Sequence, residues 1–290
     1  MNSKDLFGFD GKTVVVSGAS SGMGEAAAAL LTELGAKVYA IANKKKIQVP
    51  VEKRYNTDLG DKRNIDALIA ELPQHIDALF LCQGMAQTSD NHLLVQKVNF
   101  LSVMYMAEAL LGRIPDRGSV TLISSNGGFN WQKDFKICRE VIDIGDYDGI
   151  VAWYEANPDK LTDAYCFSKR CMDFYTVYRA HDPLYIGRKI RLNCINPGTT
   201  ITGLTDEFNR FTSGTDDAEE GRRILEKLFH ESWDGHWASA AEMGYPMVAI
   251  GSNLFSYMTG EIISLDYGLS AKWTMEELNG VTNHFGGGVG

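Results

Sequence analysis

Val14-Val15-Val16-Ser17-Gly18-Ala19-Ser20-Ser21-Gly22-Met23-Gly24, followed by Glu25 and the alanines Ala26 to Ala29, is the stretch that decides the fold. A β-branched run ends in a turn holding three glycines, and the turn opens directly into an amphipathic segment. Glycine permits a tight turn and close backbone approach, while the N–H groups and positive end of the following helix suit a pyrophosphate. The small alanines let helix and sheet pack closely. An isolated glycine-rich turn is common, so its strand–turn–helix setting carries the weight.

Working outward, short β-branched runs alternate with longer amphipathic stretches, the pattern of repeated βαβ units around a parallel sheet. Strands are expected at Lys12 to Ser17, Lys37 to Ala42, Arg54 to Asn56, Ala78 to Leu81, Ser119 to Ser124, Arg191 to Ile195 and Glu261 to Leu265. Helices are expected at Gly22 to Leu34, Asp61 to Leu72, Asn91 to Leu111, Asp163 to His181 and Ala240 to Ile250. This is an α/β, doubly wound Rossmann-type sheet with helices on both faces, in one domain spanning 1–290. Between the second and third strands only Asn43 to Lys53 remain, and Pro50 interrupts them, so a crossover helix there is very short or absent. Two long excursions, 126–162 and 203–239, read as an insertion before the catalytic helix and a substrate-binding lid. The glycine-rich tail Gly286 to Gly290 is expected to fray.

Bulk properties narrow the function. A net charge of -9 lacks the basic footprint of a nucleic-acid binder. Cys82, Cys138, Cys166, Cys171 and Cys194 are dispersed without CxxC spacing, which points to no metal site and a reduced, cytoplasmic chain. Neither a secretory signal nor a membrane-spanning apolar run is visible.

Tyr165-Cys166-Phe167-Ser168-Lys169 places a phenol and an ammonium four residues apart, on one face of a helix. A nearby cation favours the phenolate and narrows the gap between a tyrosine pKa of about 10 and neutral pH. Such a pair also arises on ordinary exposed helices, as does a polar residue like Asn99 within a helical pattern. Leu122-Ile123-Ser124-Ser125 ends a strand at the carboxyl edge of the sheet, where Ser125 can hydrogen-bond a substrate carbonyl.

Taken together, the glycine spacing and the ordered set Asn99, Ser125, Tyr165 and Lys169 resemble the classical short-chain dehydrogenase/reductases, with Ser17 where threonine is usual. Further matching pieces are Asp58-Leu59, Cys82-Gln83-Gly84 in place of Asn-Ala-Gly, and Pro197-Gly198 followed by Thr200 and Thr202. Gln83 and Asp266-Tyr267-Gly268 depart from the family pattern. The resemblance implies an NAD(P)(H)-dependent ketone/alcohol oxidoreductase. Tyr165 would donate the proton, Ser125 would polarise the oxygen, Lys169 would hold the nicotinamide ribose and depress the tyrosine pKa, and Asn99 would anchor a proton-relaying water. Cofactor contacts are expected from Ser17, Gly18, Ser20, Ser21, Gly22, Met23, Gly24, Asn43, Lys44, Asp58, Leu59, Gln83, Gly84, Tyr165, Lys169, Pro197, Gly198, Thr200 and Thr202. Where NAD-preferring relatives carry an acid, this chain reads Ile41-Ala42-Asn43 before Lys44, Lys45 and Lys46, which favours NADP(H), with NAD(H) the competitor.

The 40 positions from Ser125 to Tyr165, and the curtailed segment before Arg54, are similar to the bacterial 3α-hydroxysteroid dehydrogenase/carbonyl reductase branch. That likeness implies a homo-oligomer, a dimer over a tetramer. Phe208, Phe211, Leu225, Leu228, Phe229, Trp233 and Trp237 suggest an apolar lid over a steroid or bile acid; the plainer alternative is that they pin an amphipathic helix to the body. A smaller carbonyl substrate, or a non-catalytic dinucleotide-binding regulator, remains as a competing reading. A nucleotide-sugar epimerase fits less well, because its glycine spacing and larger C-terminal domain are missing.

Overall fold

A computed structural model describes residues 6–43, 45–229 and 236–281. Lys44, Trp233 and the tail Gly286 to Gly290 lie outside the described residues, as do the side chains of Phe211 and Leu228.

Seven parallel strands run in the order β3-β2-β1-β4-β5-β6-β7. They are β1 (Thr13–Ser17), β2 (Lys37–Ala42), β3 (Lys53–Asn56), β4 (Ala78–Leu81), β5 (Ser119–Ile123), β6 (Arg191–Pro197) and β7 (Ile262–Leu265). The chain winds from β1 outward to β3, then crosses back to β4 beside β1, so the strand order reverses between β1 and β4. Open α/β sheets bind ligands at such a reversal, beyond the carboxyl ends of the strands.

Because successive side chains on a strand point to opposite faces, the sheet splits the interior in two. Val14, Val16, Val38, Ala40 and Phe80 join one core, packed by α1 (Gly22–Glu33); Val15, Ile41, Leu79 and Leu81 join the other, packed by α2 (Lys62–Glu71). Both faces are therefore covered, which is why the central strands read as unbroken apolar runs. No helix links β2 to β3, as the short proline-containing segment requires.

The expected long helix after β4 is three pieces: α3 (His92–Gln96), a π-helical turn (Lys97–Leu101) and α4 (Ser102–Leu110). The excursion 126–162 contains α5 (Phe135–Asp143), which packs on α7 (Ala164–Ala180), and α6 (Tyr147–Ala156), which packs on α5 and the π-helical turn. Buried Arg170 on α7 meets buried Asp134 at 2.6 Å, fastening this excursion to the helix that carries Tyr165. Cys138 and Cys171 also meet across this junction, Sγ to Sγ 3.7 Å, as free thiols.

The second excursion contributes α8 (Thr205–Ser213) and α9 (Ala218–Phe229). Its two ends are tied together, since Ile201 N–H donates to the Ala238 carbonyl at 2.8 Å and Ala238 N–H to the Thr199 carbonyl at 3.0 Å. Beyond it, α10 (Ala240–Gly251) starts with a capping box between Ser239 and Glu242 and lies against α1. A Cβ on Gly244 would come within 2.7 Å of the Met23 carbonyl, so glycine sets the closeness of those two helices. A last helix, α11 (Leu269–Leu278), follows β7. Its Leu269 and Trp273 join Leu225 and Phe229 in a third, smaller apolar cluster, each buried side chain contributing about 2 kcal/mol. Among the described residues no helix is long and apolar enough to cross a membrane.

Candidate active site

The carboxyl ends of β1, β2, β4 and β5 open onto a cleft of 450 Å³. Gly18 and Gly22, with φ of 66° and 60°, make the turn that a side chain would strain. A Cβ on Gly18 would come within 2.5 Å of the Cys82 carbonyl, and one on Gly24 would collide with the Gly18 carbonyl. Ser21, the residue before α1, makes no capping bond with its side chain, so the first-turn N–H groups of that helix stay available to an anion. The cleft thus has the bare backbone and positive helix end that a pyrophosphate needs.

Most of the expected cofactor residues meet here: Gly18, Ser20, Ser21, Gly22, Met23, Gly24, Asn43, Asp58, Leu59, Gln83, Gly84, Tyr165, Lys169 and Thr202 line this one cleft. Lys45 also lines it, with Nζ so placed that a Cβ on Gly203 would be 2.9 Å away. Ser17 differs from expectation. Its fully buried hydroxyl contacts Gln83 Oε1 and accepts from Cys82 N–H at 3.0 Å, fastening β1 to β4 instead of facing the cleft. The Gln83 side chain turns the same way, donating to Ser102 at 3.0 Å, so an amide in the sheet-edge motif serves as an internal tie.

Asn99 is fully buried on the π-helical turn. Its Oδ1 accepts from Met85 N–H at 2.8 Å and its Nδ2 donates to the Met85 carbonyl at 3.0 Å. The side chain that the family pattern associates with a water is spent here on holding the loop after β4, beside Gly84.

A second cavity of 330 Å³ adjoins the cleft. Pro197, Gly198 and Thr200 line this cavity, and Thr202 lines both spaces. Ser124, Tyr165 and Phe208 are also shared, with Tyr165 standing on the common wall. Ser125 opens onto the cavity side and hydrogen-bonds the Tyr165 phenol, while Lys169 opens onto the cleft side. Phe208 meets the Tyr165 ring edge-on at 4.8 Å between centroids.

Burial pushes the Tyr165 phenol above its ordinary pKa, opposed by the Ser125 hydrogen bond. Lys169 is the nearby cation. Its Nζ donates to the Ile123 carbonyl at 3.3 Å and lies 5.5 Å from the Tyr165 ring centroid. Burial pushes Lys169 itself down to about 8, against the pull of Asp173, Cys194 and Cys166. Asp173, one turn further along α7, is pushed up to about 6 by burial and receives a 2.7 Å bond from Asn196.

Leu225, Phe229, Trp237 and Trp273 form the apolar walls of the cavity. Phe208, Leu225, Phe229 and Trp237 line this cavity, and Leu225 and Phe229 also pin α9 to the last helix; Trp273, Asn126, Asp163, Asn209 and Thr212 were not foreseen. Trp273 lies on a helix beyond the last strand, and it packs on Phe129 at 5.4 Å and Phe229 at 6.1 Å between ring centroids. Among the described residues no group of three His, Cys, Asp or Glu is placed to hold a metal ion.

Comparison with known proteins agrees with this geometry. A short chain dehydrogenase family model matches residues 12–136, and an Enoyl-(Acyl carrier protein) reductase model matches residues 155–270. Coniferyl-alcohol dehydrogenase of Pseudomonas sp. (strain HR199 / DSM 7063) is 30% identical over 197 residues, 68% of this chain and 76% of its own length. The chain belongs to the short-chain dehydrogenase/reductase family. It is an NAD(P)-dependent oxidoreductase of alcohols and ketones. The fold is shared with the 3-alpha-hydroxysteroid dehydrogenase from Pseudomonas sp. B-0831 complexed with NADH: TM-score 0.73, 21% identity, 91% of this chain and 99% of that one. It is shared equally with L-sorbose reductase from Gluconobacter frateurii complexed with NADPH and L-sorbose: TM-score 0.68, 19% identity, 91% and 98% covered.

Proposed function

We propose that this short-chain dehydrogenase/reductase interconverts a ring-bearing ketone and its secondary alcohol, with a hydroxysteroid or bile acid as the favoured substrate and NADP(H) as the favoured cofactor. The observation that carries this reading is Tyr165 on the wall between the 450 Å³ cleft and the 330 Å³ apolar cavity.

The bound dinucleotide supplies or accepts the hydride. In the direction of reduction, Ser125 donates a hydrogen bond to the carbonyl oxygen and makes its carbon more electrophilic. Tyr165, kept protonated by burial, gives its proton to the same oxygen as negative charge develops there. Ser125 then steadies the phenolate. Lys169, close to losing its own proton at neutral pH, returns one to the phenolate and draws on the cleft for replacement. Asn99 acts by fixing the loop beside Gly84. Ser17 belongs to the sheet, Pro197, Gly198 and Thr200 border the apolar cavity, and the other described cofactor residues act as cleft-lining groups.

NADP(H) is favoured because the cleft offers Asn43 and Lys45 at the end of β2, where a carboxylate would repel a 2′-phosphate. Lys44, also assigned to that phosphate, lies outside the described residues. The aromatic cavity walls favour a flat apolar body, and the segment 203–239 acts as a lid over it. A second reading, oxidation of an aromatic alcohol, is favoured by the likeness to coniferyl-alcohol dehydrogenase. We assign the enzyme to the cytoplasm as a homodimer, since α5 packs along α7. A net charge of -9 supports no role with nucleic acid.

The test follows reduced-nicotinamide absorbance with NADPH or NADH across keto steroids, coniferaldehyde and L-sorbose. The expected result is NADPH oxidation with a keto steroid and none with the sugar. Turnover of the sugar alone would remove the apolar-substrate reading, and a preference for NADH would remove the cofactor assignment.

A further inference from the structure

The cavity carries a buried polar group that its described surroundings leave unused. Asn209, on α8, is 1% exposed, yet among the described residues its Oδ1 has no hydrogen-bond partner. Buried polar side chains are nearly always paired, and an unpaired one in a ligand cavity points to a partner that arrives with the ligand. The residue is held there by the fold. A Cβ on Gly221 of α9 would come within 2.5 Å of the Asn209 carbonyl, so the two helices meet at glycine contact behind it. That carbonyl accepts from the Ser213 hydroxyl at 2.5 Å, which uses the backbone and leaves the side-chain amide to the cavity.

Several other polar groups of the cavity are committed. Thr200 donates to the Gly198 carbonyl at 3.0 Å, and Thr205 to the carbonyls of Thr200 and Thr202. Asn126 accepts from Ser125 at 3.2 Å. Asp163 caps α7, accepting from Cys166 N–H at 3.3 Å, and among the described lining residues it is the only charged one. A cavity whose sole charge is a carboxylate disfavours an anionic substrate.

We propose that Asn209 is a specificity-determining residue whose amide hydrogen-bonds a hydroxyl or oxo group of the substrate distinct from the oxygen handled by Ser125 and Tyr165. The substrate is thereby a neutral ring compound with two oxygen functions, one reacting and one recognised. An amide can turn either its oxygen to a hydroxyl or its nitrogen to an oxo group, so both chemistries share this site. The proposal rests on the ring-ketone reading above and deepens it.

The test compares kcat/KM within two matched pairs, using NADPH: androstanedione against androstanone, which lacks the second oxo group, and coniferaldehyde against cinnamaldehyde, which lacks the ring hydroxyl and methoxyl. A site built to bond a substrate oxygen rejects the analogue without it by about 10²-fold or more. The wild type should show that ratio in at least one pair, and Asn209→Leu should bring it to within about tenfold of unity. Asn209→Asp, isosteric but acceptor-only when ionised, should lower the ratio for the dione, and it keeps the test open if the leucine variant does not fold. An equal ratio in the wild type, or an unchanged ratio in a folded variant, overturns the role of Asn209 alone. Equal losses on both members of a pair mark a structural residue and overturn it too. Failure of the wild type on both androstane compounds overturns the ring-ketone reading, and failure on all four overturns this proposal with it.

Discussion

The two spaces that meet at Tyr165 are built on different principles. The dinucleotide cleft is made largely of backbone: glycines that allow close approach, a helix start without a side-chain cap, and strand ends tied to one another by Ser17 and Gln83. The substrate cavity is made of side chains brought from far apart, Leu225 and Phe229 from α9, Trp237 after it and Trp273 from the last helix. Backbone geometry tolerates no added carbon but asks little of most side chains, whereas a side-chain wall can be redrawn one residue at a time. The difference teaches where a common cofactor and a private substrate are each specified.

The seam should give the largest effect. Tyr165→Phe should lower turnover by about 10²–10⁴-fold, the usual worth of a positioned proton donor, with dinucleotide affinity within twofold of wild type by fluorescence titration. Near-normal turnover would separate the two spaces functionally. Next, Gly24→Ala drives a methyl into the Gly18 carbonyl and should weaken dinucleotide binding by about 10–100-fold, the equivalent of a strain of 1–3 kcal/mol. Trp273→Ala should act on the other side only, raising KM for ring ketones by about tenfold without changing dinucleotide affinity. A change in cofactor binding instead would blur the comparison.

The smallest effect is on pH. Lys169 titrates near 8 in the folded chain against 10.5 as its ordinary value. Reductive turnover should therefore decline as pH rises through about 8, because the ammonium that returns the proton is lost. Stability moves the other way. Below 8 both folded and unfolded chains hold the proton and the burial cost is fully present; between 8 and 10.5 the unfolded chain alone keeps it, so the contribution of Lys169 to stability rises with pH, opposed above about 9 by the Cys82, Cys166, Cys171 and Cys194 thiols that burial keeps protonated. The difference between wild type and Lys169→Met in denaturant melts at stepped pH reads this contribution.

How much of this could be read from the sequence follows the same division. The strands lie within about two residues of their expected limits, because buried parallel strands leave apolar runs bounded by turns. The glycine turn and the Tyr165–Lys169 spacing are local, and local patterns are legible. The π-helical turn at Asn99 is not, since it depends on tertiary bonds to Met85. Ser17 looked like a cleft residue because it sits at a strand end, but which way a strand-end side chain turns is set by its neighbours across the sheet. The helices of 126–162 and 203–239 were expected only as excursions. Trp273 and Asn209 lie far along the chain from the residues they face, and no spacing rule links them to the site.

The account's central claim is that hydride and proton reach one substrate across the wall where Tyr165 stands. It is tested most directly by turning over androstanedione with NADPH deuterated at the transferred position and locating the label in the product. Deuterium bound to the new carbinol carbon with wild-type protein, and no labelled alcohol with Tyr165→Phe, is the result predicted. Labelled alcohol formed equally by both proteins, or NADPH consumed with no label on that carbon, would contradict it.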